Sequence, residues 1–443
     1  MNRRGFMKSS AVAAAAAGTG GCTVEKIQDD SPQQRARAIN SIAGRSLADL
    51  REEYRHWLFD DYIPFIYKYV FDHENGGFMC NTDRNGKNNT TDKNAWYEGR
   101  GIWVHSFLYN KIDPDPQHIE VAGKSVDFIM RHRPKDDSFW IRPFDKAGNA
   151  TGGEGDIYSS LFVANGLAEY SKAAGKEEYW DISKEILLSC MRRYDREDYD
   201  YEVYYGPEEK HKRPARVLGH WMVLIRMVTQ MLELRADPEL ELLADRCVDA
   251  IMKHHFNPEY GLMNEVMKHD LSRADAPYDQ FSYTGHAIET LWMLMYEAAR
   301  KNDAALYDEV CTRFKRHVEI SWDDVYGGSF RCLDNVNRNE WKTDKVLWLQ
   351  EEVLIGTLFM IEQTGDTWAQ EWFSKMYNYV LEKFPLERHG YPLWLIGGNR
   401  KVEFTPGPAG RVGNFHHPRH LMLNLLSLDH IIANEGRASG LFG

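Results

Sequence analysis

The chain has 443 residues, 43% of them hydrophobic and 13% aromatic, with 54 lysines and arginines against 66 acids and a formal charge of −12. Aromatic side chains spread over the whole length imply one large continuous core. The acidic balance, with no basic block long enough to follow a phosphate backbone, argues against nucleic-acid binding, and charge interrupts the apolar stretches too often for a polytopic membrane protein.

Residues 1–21 read as an export signal: Arg3 and Arg4 open an R-R-x-F-x-K run closed by Phe6 and Lys8, and the Ala-rich stretch Ala11–Ala17 follows. This resembles a twin-arginine leader. Thr19, Gly20 and Gly21 precede Cys22 as small residues precede a lipoprotein cleavage site, so Cys22 is the expected lipidated residue and the periplasmic side of the cell envelope the expected location. Residues 22–40 read as a linker and 41–436 as the catalytic domain. Cys80, Cys190, Cys247, Cys311 and Cys332 show no C-x-x-C spacing, which points away from a zinc knuckle or redox pair. Cys190 and Cys247 fall in apolar helical patterns, whereas Cys80 and Cys332 are the ones open to a disulfide.

Beyond the linker, apolar residues recur at three- and four-residue spacing. Twelve helices are predicted, at 43–70, 96–111, 116–132, 156–173, 177–195, 214–236, 238–254, 281–300, 303–319, 343–363, 367–384 and 416–434. Odd helices are followed by long glycine-bearing loops, such as Asn75-Gly76-Gly77-Phe78 with Asp83-Arg84-Asn85-Gly86, Tyr260-Gly261-Leu262, and Tyr326-Gly327-Gly328-Ser329-Phe330. Even helices connect onward through short links. The expected fold is all-α: an (α/α)6 barrel of six helix pairs with short β-hairpin loops at one end. An open solenoid is the alternative, but it needs polar capping repeats that the sequence does not offer.

Since every long loop precedes an even helix, the first turns of the even helices should converge at one end. Those turns carry Trp96-Tyr97-Glu98-Gly99-Arg100, Gly219-His220-Trp221, Gly285-His286 with Glu289, Trp348 with Gln350 and Glu352, and Phe415-His416-His417-Pro418-Arg419. A lone histidine in an apolar helix is more often a hydrogen-bonded core residue, yet three at equivalent turns favour a shared cavity. Arg100 has an ordinary reading as a partner of Glu98, and Trp96 and Trp348 as core aromatics, although such faces also stack on sugar rings. His416 and His420 have helical zinc spacing, but H-E-x-x-H is absent and Arg419 stands between them, so no metal is expected. No phosphate-binding glycine motif follows a strand and no G-x-S-x-G is present.

The segments N-G-G-F with D-R-N-G at 75–86, W-Y-E-G-R-x-x-W at 96–103, G-H-A-I-E at 285–289, W-L-Q-E-E at 348–352 and G-N-F-H-H-P-R at 413–419 together resemble the N-acylglucosamine 2-epimerase superfamily. That superfamily includes cellobiose 2-epimerases and aldose–ketose isomerases. The resemblance implies an (α/α)6 barrel and proton transfer beside a sugar carbonyl, with no cofactor. It implies His286 and His416 as the acid/base pair, and Arg100, His220, Glu289, Trp348, Glu352, Trp96 and Arg419 as substrate-binding residues. The match around His220 is loose, and His417 doubles the last motif's histidine, leaving it the alternative to His416. The expected function is a carbohydrate 2-epimerase acting on a free reducing sugar or oligosaccharide through an enediolate. The alternatives are an aldose–ketose isomerase on the same residues, a glycosidase or polysaccharide lyase recruiting Asp156, Glu98, Glu289 or Glu352, and a non-catalytic glycan binder. The expected partner is a small sugar, with membrane contact only through the lipid anchor and a monomeric or homodimeric state.

Overall fold

A computed structural model describes residues 38–83, 85–203, 205–207, 216–384 and 413–442. The leader, Cys22, the linker up to residue 37 and Arg84 lie outside the described residues. Among these, twelve helices line up with the twelve predicted. The first, α1 (Leu47–His56), continues through π turns at Trp57–Tyr62 and Ile66–Val70 around a short stretch Ile63–Phe65. Then come α2 (Ala95–Lys111), α3 (Pro116–Met130), α4 (Ile157–Ala174), α5 (Glu178–Tyr194) and α6 (Leu218–Leu234). The second half holds α7 (Pro238–Asp249, prolonged by a π turn Ala250–His255), α8 (Thr284–Lys301), α9 (Ala304–Ser321), α10 (Leu347–Thr364), α11 (Thr367–Lys383) and α12 (His416–Ala433).

Even helices pack in order from α2 to α12, and α12 returns to α2, which closes a ring; each odd helix lies against an even one outside it, α1 against α12. This is the (α/α)6 barrel. Burial follows from position. All residues from Leu347 to Gln363 of α10 are buried, whereas α11 buries one stripe, Ala369, Trp372, Phe373, Met376 and Tyr377. At the tightest crossing the backbones themselves touch: a Cβ on Gly99 of α2 would fall 2.3 Å from the Phe162 carbonyl of α4, and one on Gly166 of α4 2.5 Å from the Gly99 oxygen. Five cysteines, Cys80 and Cys332 among them, are buried free thiols. No helix among the described residues is long and apolar enough to cross a membrane.

Most outer helices are capped by a side chain, while among the inner ones only α2, by Asn94, and α4, by Asp156, are. Side chains of Ser46, Asp115, Asp237, Asp303 and Asp366 cap the outer helices α1, α3, α7, α9 and α11. The inner helices α6, α8, α10 and α12 begin without a side-chain cap, so their positive ends are not neutralised by a capping carboxylate.

Three inner helices start later than expected, at Leu218, Thr284 and Leu347 rather than at 214, 281 and 343. The preceding apolar residues Val217, Phe281 and Val346 are buried but extended. They belong to the rim, where short strands also join separate loops. Lys93–Asn94 pairs with Pro143–Phe144, Arg216–Val217 with Val266–Met267, and Ser282 bridges Leu333. Local hairpins form only at Ser41–Ser46, Phe256–Met263 and Cys332–Lys342 among the named strands.

Two of the long loops are built to one plan that the sequence reading did not detect. In the first, Lys93 Nζ lies 2.8 Å from Asp72 Oδ2 and donates to the Gly76 carbonyl, while the Phe78 N–H donates to Glu98 Oε1 at 3.0 Å. In the fifth, Lys345 Nζ lies 2.7 Å from Asp323 Oδ2 and donates to the Gly327 carbonyl, while the Ser329 N–H donates to Gln350 Oε1 at 2.8 Å. Both ion pairs are fully buried. The shared pattern D-x3-G-G … K-x2-W-x-[E/Q] therefore ties each loop to the first turn of the helix it precedes.

Candidate active site

Inner-ring helices taper their side chains toward one central cavity of about 270 Å³ at the end where those helices begin. Each contributes to its wall: Trp96 and Arg100 from α2, Tyr158 and Asn165 from α4, Arg226 from α6, His286 and Glu289 from α8, Trp348 from α10, and His416 and Arg419 from α12. Trp348 lies against both imidazoles, its ring centre 6.2 Å from His286 and 5.2 Å from His416.

The two histidines are held differently. His286 Nδ1 lies 2.9 Å from Glu265 Oε1, which also accepts from the Tyr205 hydroxyl at 2.8 Å, and Tyr283 covers the ring with centroids 4.1 Å apart. Burial pulls the His286 pKa down, but the Glu265 carboxylate outweighs it and the net displacement is upward. His416 Nδ1 lies 2.8 Å from Glu352 Oε1 and 3.2 Å from Arg419 Nη2. There burial dominates and Arg419 and Arg100 add to it, so the His416 pKa falls well below its ordinary value. Each Nδ1 is engaged by a carboxylate, which fixes the orientation of the ring at the wall.

Arg419 is the hub beneath them. Its Nη2 reaches Glu289 Oε1 at 2.6 Å and Glu352 Oε1 at 2.5 Å, and Trp292 donates its indole N–H to Glu352 Oε2 at 2.7 Å. Glu289, Glu352 and His416 converge closely enough to surround a metal ion, but the guanidinium already sits among them as the cation. A second convergent set, Glu351, His417 and His420, lies behind the ring in a separate cavity beside α1 and α11. His417 hydrogen-bonds Glu351 there.

The placement of the sequence candidates is therefore uneven. Arg100, Trp96, Trp348, Glu289, Arg419, His286 and His416 line one cavity. Glu352 stands behind His416, fully buried, and holds it rather than lining the wall. His220 stands back from the wall: it is enclosed by Tyr158, Tyr201 and Tyr194, with ring centres 4.9, 4.6 and 5.9 Å away, and Tyr158 and Tyr201 line the cavity in front of it. His417 faces away, which resolves the doubled histidine in favour of His416 as the cavity residue. The carboxylates considered for hydrolysis have structural partners. Glu98 accepts the Phe78 N–H, its pKa pushed up to about 8 by burial, and Asp156 caps α4 while accepting the Trp96 indole N–H at 2.9 Å.

Glu265, Tyr205, Arg226 and Arg331 escaped the sequence reading. Glu265 and Arg226 each left a trace, a lone charge inside the apolar runs Leu262–Met267 and Leu218–Leu232. Such a charge in a buried segment asks for a partner or a ligand.

A closed double ring of helices with histidine, glutamate and arginine brought to the starts of its inner helices defines an (α/α)6-barrel protein with a central polar site. The family profile described as N-acylglucosamine 2-epimerase matches residues 76–417, and the chain belongs to that family. It is 24% identical over 398 residues to N-acylglucosamine 2-epimerase of Bos taurus, covering 86% of this chain and 92% of the relative. The structure of cellobiose 2-epimerase from Spirochaeta thermophila superposes with a TM-score of 0.73 at 16% identity, covering 87% of this chain and 98% of the other. A D-mannose isomerase structure superposes with a TM-score of 0.67 at 13% identity, covering 88% and 97%.

Proposed function

We propose that the protein is an isomerase of free reducing sugars, a carbohydrate 2-epimerase that moves the C2 proton through an enediolate. The observation that carries this reading is the pair His286 and His416 flanking Trp348 on one cavity wall. An open-chain aldose has a weakly acidic C2–H, and its removal places negative charge on O1, the former carbonyl oxygen, beside the O2 hydroxyl. His416, whose charged form burial disfavours, takes the proton; His286, whose charged form Glu265 favours, returns one to the opposite face, and the roles exchange for the reverse reaction. Arg100, which stacks over Phe162 at 4.1 Å and lines the wall, is placed to hold the enediolate charge. Membership of the family supports the same chemistry.

Proton return by the abstracting group itself to C1, with the hydroxyl proton passing from O2 to O1, would yield the ketose, so an aldose–ketose isomerase differs in the carbon that receives the proton and in that transfer between the oxygens. The test is NMR of reducing sugars with the purified protein in heavy water. The wild type should incorporate deuterium at C2 and form the C2 epimer. H286N and H416N should each lower that exchange by about 10²–10⁴-fold while circular dichroism is retained, and full exchange in both variants overturns the assignment. We also propose export through residues 1–21 and lipidation at Cys22, which predicts that labelled fatty acid enters the wild-type protein in its host and not C22A.

A further inference from the structure

Arg226 is buried and has no carboxylate within hydrogen-bonding reach among the described residues, although Glu233 and Glu169 act on its charge from further away. It is 5% exposed, it lines the central cavity, and its Nε and Nη1 atoms have no hydrogen-bond partner among the described residues. Its company is aromatic, with the guanidinium 5.3 Å from the Trp292 ring centre and 4.8 Å from that of Tyr296. Two cations of the same wall are already matched. Arg419, which shares Trp292 at 5.1 Å, holds Glu289 and Glu352, and Arg331 on the cavity wall holds Asp344 at 2.8 Å. A guanidinium taken out of water without an anion is costly to the folded chain, and its fork of N–H donors matches a planar carboxylate in side-on geometry.

Depth decides which part of a ligand it meets. His286 and His416 stand in the first turns of α8 and α12, while Arg226 is two turns into α6. Side chains lean back toward a helix N-terminus, so the guanidinium rises to the cavity from the side remote from the imidazoles. An open-chain hexose has its reacting C1 and C2 at one end and C6 at the other. We infer that the substrate is an anionic sugar, a hexuronate whose C6 carboxylate is held by Arg226 while C1 and C2 lie between His286 and His416. The location of C1 and C2 rests on the 2-epimerase reading, whereas the pairing of a carboxylate with Arg226 stands without it.

The experiment compares D-glucuronate with D-glucose, following C2 exchange by NMR and binding by calorimetry, in the wild type, R226M and R226K. Glucuronate should exceed glucose in kcat/KM by at least ~30-fold, R226M should bring that ratio near one, and R226K should keep part of it. Without sugar, R226M should melt at or above the wild-type temperature, because an unmatched buried charge has been removed. Equal or better use of glucose, a ratio unchanged in R226M, or a clearly lower melting temperature for R226M overturns the inference. If neither sugar exchanges at C2, the epimerase reading fails. Glucuronate binding that disappears in R226M would then still uphold the carboxylate site, and its absence in the wild type would end it.

Discussion

Each imidazole of the cavity is tuned by the carboxylate on its Nδ1 and by the cations near it. Both rings are buried, but at His286 the Glu265 carboxylate, helped by Glu289, favours the charged form, whereas at His416 burial prevails and Arg419 and Arg100 add to it. E265Q keeps the hydrogen-bonding shape and removes the charge. The limb of the kcat/KM–pH profile that reports His286 should then move to lower pH, and a profile that stays in place would detach Glu265 from His286. Stability follows the same sign. A histidine whose folded pKa is raised contributes stability that is complete below its unfolded pKa and is lost as pH rises through the folded one. Wild-type melting temperature should therefore fall as the pH climbs through that window, and E265Q should show less of this fall.

At the scale of elements, the rim loops are held by a repeated device. Lys93 with Asp72, and Lys345 with Asp323, pin two glycine turns against the first turns of α2 and α10. Removing one member strands a buried charge, so K93M should cost about 3–5 kcal/mol, whereas the double variant K93M/D72N should recover part of that loss. Urea unfolding of the four proteins of the cycle measures it, and additive effects would show that the pair is not coupled. Because Trp96 and Trp348 stand in the pinned turns, the single variants should also raise KM for sugar. The sequence made both turns visible through their glycines and left the lysines unremarked. A lysine reads as surface until the fold shows an aspartate 21 or 22 residues away at its Nζ.

Over the whole molecule, closure of the ring is what makes one cavity out of six helix starts. The closing element, α12, packs on α10, α2 and α1 and carries His416 and Arg419. A chain ending at residue 412 would expose the buried faces of all three helices. It is expected to lose the single cooperative melting transition of the wild type and to elute as aggregates in size-exclusion chromatography; a monomeric, cooperatively melting product would show the ring stable while open.

Helix count, the alternation of long and short connections, and the meeting of His286, His416, Arg100 and Trp348 at one end were all legible in the chain. Those features rest on periodicity and on the order of segments, which are local and survive without coordinates. Helix starts at 214, 281 and 343 were misjudged because a buried extended residue such as Val217 or Val346 looks, in sequence, like one more apolar helix position. Only the tertiary structure placed His220 behind its tyrosines, turned His417 away from the cavity, gave Glu265 to His286 and left Arg226 on the cavity wall with no acid in hydrogen-bonding reach. The reason is physical: a pKa, an ion pair or an unmatched charge belongs to groups that the chain separates by tens of residues, and their distances exist only after the rings have packed.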